Sequence, residues 1–447
     1  MLSSTAGGPP VRRVRGWHAV VAAAVVTAVV VAFVLLRPSG GARAVPNSPC
    51  APVGSAREAA PATPDLDGDG AAELTHEVSR TEDVDLTVVP GSAHGPDGDR
   101  TVFFAHGALG LPDDVQVGDD PLRPTVADLD EDGRPDLVVS GAARILWGAP
   151  GGPRVGGAQG RVRLPGDGYR TAPVAGDFDG DGHVDLVAFR EWGETRELVV
   201  LKGPFARSGA PARTVTIPAP GFEGTLPELV AGDADDDGAT DLVLHDTSGS
   251  PPLLFTGGAD TASGLSGKPE RLPRGENVVF GDFDGDGRQD IAVGRSFVDS
   301  YDEVGTPHRR GRVSLRYGKD PGTWVVVEGG GFAEGFGAAL AAGDFDGDGC
   351  DDLAVQLTRK KEAGDARIEV LRGGSAHGLG STPWHTTGRF VPGDDRPGRG
   401  TLFAAADWDG DGRAELALLG EDHWWITDGR GRLEVSFPIT PRGKGTS

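Results

Sequence analysis

The stretch Asp177–Leu186 reads "DFDGDGHVDL" and runs straight into the apolar "VAF". Acidic residues stand at its positions 1, 3, 5 and 9, with glycine at 4 and 6. The pattern D-x-D-x-D-G-x-x-[DE]-[LI] occurs seven times: "DLDGDGAAEL" from Asp65, "DLDEDGRPDL" from Asp128, "DFDGDGHVDL" from Asp177, "DADDDGATDL" from Asp233, "DFDGDGRQDI" from Asp282, "DFDGDGCDDL" from Asp344 and "DWDGDGRAEL" from Asp407. The starts lie 63, 49, 56, 49, 62 and 63 residues apart, a mean of 57. Such spacing marks an internal repeat, each copy one supersecondary unit that buries its apolar face against its neighbours.

The chemistry of the repeat is that of a hard cation. Calcium takes six to eight oxygens at about 2.3–2.6 Å, and a tightly curled chain can bring alternate carboxylates onto one ion. The candidate ligands at positions 1, 3, 5 and 9 are Asp65, Asp67, Asp69 and Glu73; Asp128, Asp130, Asp132 and Asp136; Asp177, Asp179, Asp181 and Asp185. The later copies give Asp233, Asp235, Asp237 and Asp241; Asp282, Asp284, Asp286 and Asp290; Asp344, Asp346, Asp348 and Asp352; and Asp407, Asp409, Asp411 and Glu415. Position 7 offers a backbone carbonyl, from Ala71, Arg134, His183, Ala239, Arg288, Cys350 and Arg413. Position 6 is glycine in all seven copies, as a left-handed turn requires. Up to seven calcium ions are expected, mainly structural. Glu131 and Asp236 replace the usual glycine at position 4.

An EF-hand loop starts in the same way but needs a glutamate at position 12 and helices on both sides. Position 12 here is His76, Val139, Ala188, Leu244, Val293, Val355 or Leu418. The loops lead instead into short apolar runs such as "DLVVS" and "DIAVG", which read as buried strands. A second apolar run then ends in glycine ("RILWG", "LVVLKG", "IEVLRG"), and a third follows ("RVRLP", "TVTIP"). With the run before each loop, that makes four strands per unit. Seven such units predict an all-β, seven-bladed propeller of four-stranded antiparallel blades with calcium-binding hairpin loops. Unit one lacks a convincing first strand, because "REAAPATP" before Asp65 holds two prolines.

These loops, with "GFGAALAAGDFDGDG" at 335–349 and "GAP" at 148–150, resemble FG-GAP repeats, the integrin-α-like or VCBS type. The resemblance covers roughly residues 60–440. It implies a seven-bladed propeller with calcium in the hairpin joining the first two strands of each blade.

Composition narrows the function. The chain has 447 residues, 67 Asp+Glu against 43 Lys+Arg and a formal charge of −24. A nucleic-acid surface gains affinity through clustered Lys and Arg, so nucleic acid is excluded as a partner. There is no H-x-x-x-H and no G-x-S-x-G, and the acid pairs belong mostly to the loops, so no catalytic residue is assigned.

At the N-terminus, Arg12, Arg13 and Arg15 precede an uncharged stretch, residues 17–36. Twenty residues at 1.5 Å rise span about 30 Å, one bilayer core. The expected order is a short cytoplasmic N-terminus (1–16), a transmembrane signal-anchor or uncleaved signal (17–36), a Pro/Ala/Gly-rich stalk (37–60), the seven repeats (61–440) and a tail (441–447). "ARA" at 42–44 offers an alternative, cleavage near Ala44 and secretion. Either way the repeats face the exterior, where Cys50 and Cys350 can pair and tie the stalk to the sixth loop.

The expected function is a cell-surface binding or adhesion module for an extracellular protein or glycan, held on the face opposite the loops. The alternative is a carbohydrate-active enzyme, a polysaccharide lyase or hydrolase on a calcium-rich propeller. Loop-position-2 aromatics Phe178, Phe283, Phe345 and Trp408 read as packing between blades, as do Trp147 and Tyr317. The less regular Trp192, Trp384, Trp424 and Trp425 are the candidates for an exposed binding surface. The longest insertions, 295–311 and 357–369, fall opposite the loops.

Overall fold

The computed structural model describes residues 11–14, 50, 65–80, 83–104, 109, 124–139, 144–150, 152, 161–163, 171–219, 227–258, 263–296, 310–329, 335–357, 367–374, 378–380, 385–386, 401–420 and 423–439. The expected membrane span, the stalk apart from Cys50 and the tail lie outside them. No helix among the described residues is long and apolar enough to cross a membrane.

The strands form seven sheets, and apart from one added N-terminal strand each takes its members in chain order. Blade 1 contains Leu74–Arg80, Asp83–Val89 and Val102–Phe104. Blade 2 contains Thr125–Ala127, Asp136–Val139, Arg144–Leu146 and Arg161–Arg163; blade 3 Val174–Gly176, Asp185–Trp192, Thr195–Lys202 and Arg213–Pro218. Blade 4 is Glu228–Gly232, Asp241–His245, Leu253–Phe255 and Glu270–Arg271; blade 5 Asn277–Gly281, Asp290–Arg295, Arg312–Arg316 and Trp324–Glu328. Blade 6 is Leu340–Gly343, Asp352–Leu357, Arg367–Leu371 and His385–Thr386; blade 7 Thr401–Ala406, Glu415–Leu419, His423–Thr427 and Leu433–Pro438. Pairing within each blade is antiparallel.

The first strands of blades 2 to 7 pack on one another in succession and so line the axis. The second strands carry the most deeply buried residues. Asp136–Val139 and Asp241–His245 are buried at every position, as strands covered on both faces must be.

Seven apolar clusters hold the ring, one at each contact between neighbouring blades. Leu86 and Phe104 of blade 1 meet Leu137 and Leu146 of blade 2. Phe283 and Leu315 of blade 5 meet Leu353 and Leu371 of blade 6. The seventh cluster closes the circle, packing Phe403, Trp408, Trp424 and Phe437 of blade 7 on Ala72, Leu74 and Val89 of blade 1.

Closure also uses the hydrogen bond that joins blades elsewhere. The position-8 N–H of one loop donates to the position-1 carbonyl of the loop before it: Thr240 to Asp177 (2.7 Å), Asp351 to Asp282 (3.0 Å) and Ala414 to Asp344 (2.8 Å). Ala72 donates to Asp407 in the same way across the seam (3.3 Å). Blade 1 shows three strands among the described residues, in keeping with its proline-containing lead-in.

Two features differ from the sequence reading. Val11–Val14 runs parallel to Trp324–Glu328 and adds a fifth strand to blade 5, with Val11 opposite Trp324. The outer strand of a blade leaves an unpaired edge, and the short β-branched "VRRV" fits it. The second difference is Trp424, which is fully buried, edge-on to His76 (4.9 Å) and Phe403 (4.8 Å), and therefore no surface anchor. Trp425 packs partly buried at the contact of blades 6 and 7.

Candidate metal centres

In blades 2 to 7 each acidic loop joins the first and second strands, and in blade 1 it leads into Leu74–Arg80. In blades 2 to 7 position 9 is the first residue of the second strand and pairs with the residue just before position 1: Gly176 with Asp185, Gly281 with Asp290, Ala406 with Glu415. Positions 1 to 8 therefore make the turn, and all seven turns sit at the same end of the ring.

The turn is fixed by its own carboxylates. The position-1 aspartate accepts from the N–H groups of positions 5 and 6, as Asp177 does from Asp181 (3.0 Å) and Gly182 (2.8 Å). Asp128, Asp282 and Asp407 repeat those contacts. The position-5 carboxylate accepts from the position-7 N–H in every copy, at 2.8–3.1 Å. That N–H bond orders the peptide whose carbonyl is the expected ligand. Position 6 is left-handed throughout, with φ between 82° and 92°. Position 4 is left-handed too, and Glu131 (φ 58°) and Asp236 (φ 63°) adopt the conformation glycine holds in the other loops.

Position 9 does more than offer an oxygen. One oxygen of Asp136 accepts from Leu129 N–H (2.9 Å) and the other from Gly148 N–H (2.6 Å), at the end of the second apolar run. Asp241, Asp290 and Asp352 make the same pair of bonds. The carboxylate thus ties turn to second hairpin, which explains the glycine ending that run. A Cβ on Gly373 would lie 2.1 Å from the Asp351 carbonyl, and one on Gly203 2.3 Å from that of Val184.

Burial pushes these carboxylates up, against the opposing pull of their backbone N–H bonds. Glu73, Asp136, Asp185 and Asp241 rise to about 7, and Asp290, Asp352 and Glu415 to about 8. Burial is also the largest cause of the upward shifts at Asp67, Asp130, Asp235, Asp346 and Asp409 of position 3. A buried, uncompensated carboxylate is costly and is relieved by a proton or a cation.

The donor set fits a hard divalent cation. In loops 1 and 7, positions 1, 3, 5 and 9 bring one oxygen each to within 4.8 Å of one another: Asp65, Asp67, Asp69 and Glu73, and Asp407, Asp409, Asp411 and Glu415. Loops 2 and 3 gather positions 1, 3 and 9: Asp128, Asp130 and Asp136, and Asp177, Asp179 and Asp185. There Asp132 turns instead to Arg134 (3.2 Å) and Arg207, and Asp181 is exposed. Asp130 Oδ1, Asp284 Oδ1 and Asp185 Oδ2 are buried with no hydrogen-bond partner, the signature of oxygens shaped for a cation.

At position 2, Phe178, Phe283, Phe345 and Trp408 are buried between blades, as expected. Trp147 is buried at the contact of blades 2 and 3, and Tyr317 packs at that of blades 5 and 6. Cys50 and Cys350 form a disulfide with Cα atoms 5.2 Å apart, and Cys50 N–H donates to the Asp348 carbonyl (3.2 Å). The chain thus enters the ring at the loop end. Side chains of Trp192 and Trp384 lie outside the described residues.

Residues 128–188 match the FG-GAP-like repeat, and residues 274–315 and 336–356 match the FG-GAP repeat. No curated protein matches the chain. Among solved structures, the Vibrio cholerae biofilm matrix protein Bap1 aligns at 13% identity over 86% of this chain and 83% of its own, TM-score 0.26. The Pseudomonas aeruginosa PilY1 C-terminal domain aligns at 14% over 82% and 84%, TM-score 0.30. A point mutant of NanB sialidase from Streptococcus pneumoniae aligns at 10% over 83% and 56%, TM-score 0.30. FG-GAP-type repeats are thus matched in parts of blades 2, 3, 5 and 6, within a chain that folds as a seven-bladed β-propeller with the same turn geometry in all seven blades.

Proposed function

We propose that the protein is a calcium-stabilised extracellular binding module that holds a protein or glycan partner on the end opposite its acidic loops. The observation that carries the reading is the loop end itself: seven turns of one geometry, their position-9 carboxylates buried without a counter-charge. Calcium supplies that charge and locks the turns. Extracellular calcium modules bind at about 10⁻⁴–10⁻³ M, so the loops stay filled outside a cell. Seven ions would bring the formal charge from −24 to −10.

The disulfide supports an orientation. Cys50 is pinned to loop 6, so a chain arriving from an anchor at 17–36 meets the ring on its loop end. The opposite end then faces outward. It carries the connections between second and third strands, longest in blades 5 and 6, where Arg295 is followed by Arg312 and Leu357 by Arg367. Connections on a rigid scaffold are where binding residues concentrate.

The test is to incubate the calcium-loaded protein with a panel of cell-wall and extracellular polysaccharides, scoring retention and chain length. Retention without shortening supports a glycan-binding adhesin. Shortened chains would overturn the binding reading in favour of an enzyme. No effect on any glycan would leave a protein as the partner.

A further inference from the structure

In four of the seven loops a lysine or arginine already sits on the position-3 carboxylate. Lys202 Nζ lies on Asp179, Lys319 Nζ on Asp284, and Arg372 on Asp346 and, at 3.3 Å, Asp348. Arg207 crosses from blade 3 to Asp130 and Asp132 of loop 2. All four cations engage the position-3 carboxylate. In loops 2, 3 and 5 the other oxygen of that carboxylate stays buried without a hydrogen-bond partner: Asp130 Oδ1, Asp179 Oδ1 and Asp284 Oδ1.

The cations have a common origin in the fold. Lys202 and Arg372 stand just before the glycine that ends the second apolar run, and Lys319 just after it. The residue before that glycine is Pro90 in blade 1, Thr256 in blade 4 and Asp428 in blade 7. None of these is cationic. Among the described residues no Lys or Arg forms an ion pair with the position-1, 3, 5 or 9 carboxylates of loops 1, 4 and 7; Arg288 pairs with Asp236 at position 4 of loop 4 (3.2 Å), and Arg100 and Arg316 act on Asp67 and Asp235 only through their more distant charge. Loops 1 and 7 each gather four carboxylates where loops 2 and 3 gather three, and they flank the seam, joined by Ala72 N–H to the Asp407 carbonyl and Ser92 N–H to the Trp408 carbonyl (3.3 Å).

We propose that the loops form two classes: loops 1, 4 and 7 take calcium first, whereas in loops 2, 3, 5 and 6 a lysine or arginine competes for the same position-3 carboxylate. Calcium in loops 7 and 1 then clamps the two ends of the ring, where blade 1 shows three strands. The proposal rests on the calcium reading above and divides its sites. A unit charge about 4–5 Å from a divalent ion weakens binding by about twentyfold even at the dielectric of water.

The experiment is a direct one: calcium bound to the full-length, metal-stripped protein, measured by equilibrium dialysis against radioactive calcium. The wild type is expected to fill three sites before the rest. The double variant Lys202→Gln, Lys319→Gln is expected to fill five, the two new ones about twentyfold tighter than in the wild type. Both lysines lie outside the apolar clusters, so the variant keeps its core. Seven equal sites in the wild type, or a tight class unchanged by the double variant, overturns the proposal while leaving calcium binding intact. No bound calcium at all overturns both.

Discussion

At position 4 of the acidic turn the backbone is left-handed in every copy, and only Glu131 and Asp236 pay for a Cβ there. A left-handed residue other than glycine costs about 1–2 kcal/mol, and glycine returns about 0.5–1 through the unfolded chain. Glu131→Gly is therefore expected to raise stability by about 0.5–1 kcal/mol, less the exposed contact of Glu131 with His183, readable in a denaturant midpoint. Gly373→Ala should cost about 2–3 kcal/mol, since its Cβ would strike the Asp351 carbonyl. Gly374→Ala, with open space around it, is the near-neutral control. The position-9 carboxylates also set a pH response. Their folded pKa values of about 7–8 lie above the unfolded values near 4, so the calcium-free fold binds extra protons between these limits. That stabilisation is complete below the unfolded pKa and is lost as pH rises through the folded one. Calcium needs the deprotonated form. The melting temperature in calcium-free buffer should fall from pH 5 to pH 8, while the gain on adding calcium should grow. A calcium gain that shrinks over this range would contradict the assignment.

Among elements, the contact between blades is the unit of stability. The position-2 residue leaves its own turn to pack toward the next blade, which makes Leu66, Leu129 and Phe178 members of different inter-blade clusters. Trp408 does this at the seam, 2% exposed, beside Trp424 and Phe437. Trp408→Ala is expected to cost about 3–5 kcal/mol and to favour opening between blades 7 and 1. Limited proteolysis checks this: first cuts spread evenly over all blades would argue against a weak seam.

For the whole molecule, two constraints act together. Chelation should lower the melting temperature markedly, because it leaves buried carboxylates on seven turns without a counter-charge. A melting curve unmoved by excess chelator would remove the structural role of calcium. The disulfide closes a loop with 300 residues of separation and ties the stalk to the ring, so Cys350→Ser should cost up to about 5 kcal/mol. Intact mass of the unreduced protein should show no free thiol.

The sequence alone determined the number of blades, the acidic pattern of each turn and the buried aromatics of position 2. Each of these is a local pattern repeated seven times, and repetition turns a weak motif into a strong one. The glycine after each second apolar run was visible there, but its reason was not: it lies where the position-9 carboxylate and the position-8 carbonyl of its own blade's turn converge. Trp424 gave no sign of its burial, since its partners His76 and Phe403 come from blades at opposite ends of the chain. The lysines and arginines on the turns were equally hidden, because Lys202 and Asp179 are 23 residues apart and meet only when the hairpins fold together. Local periodicity is written along the chain, whereas which charges meet is decided by how the ring brings distant strands side by side.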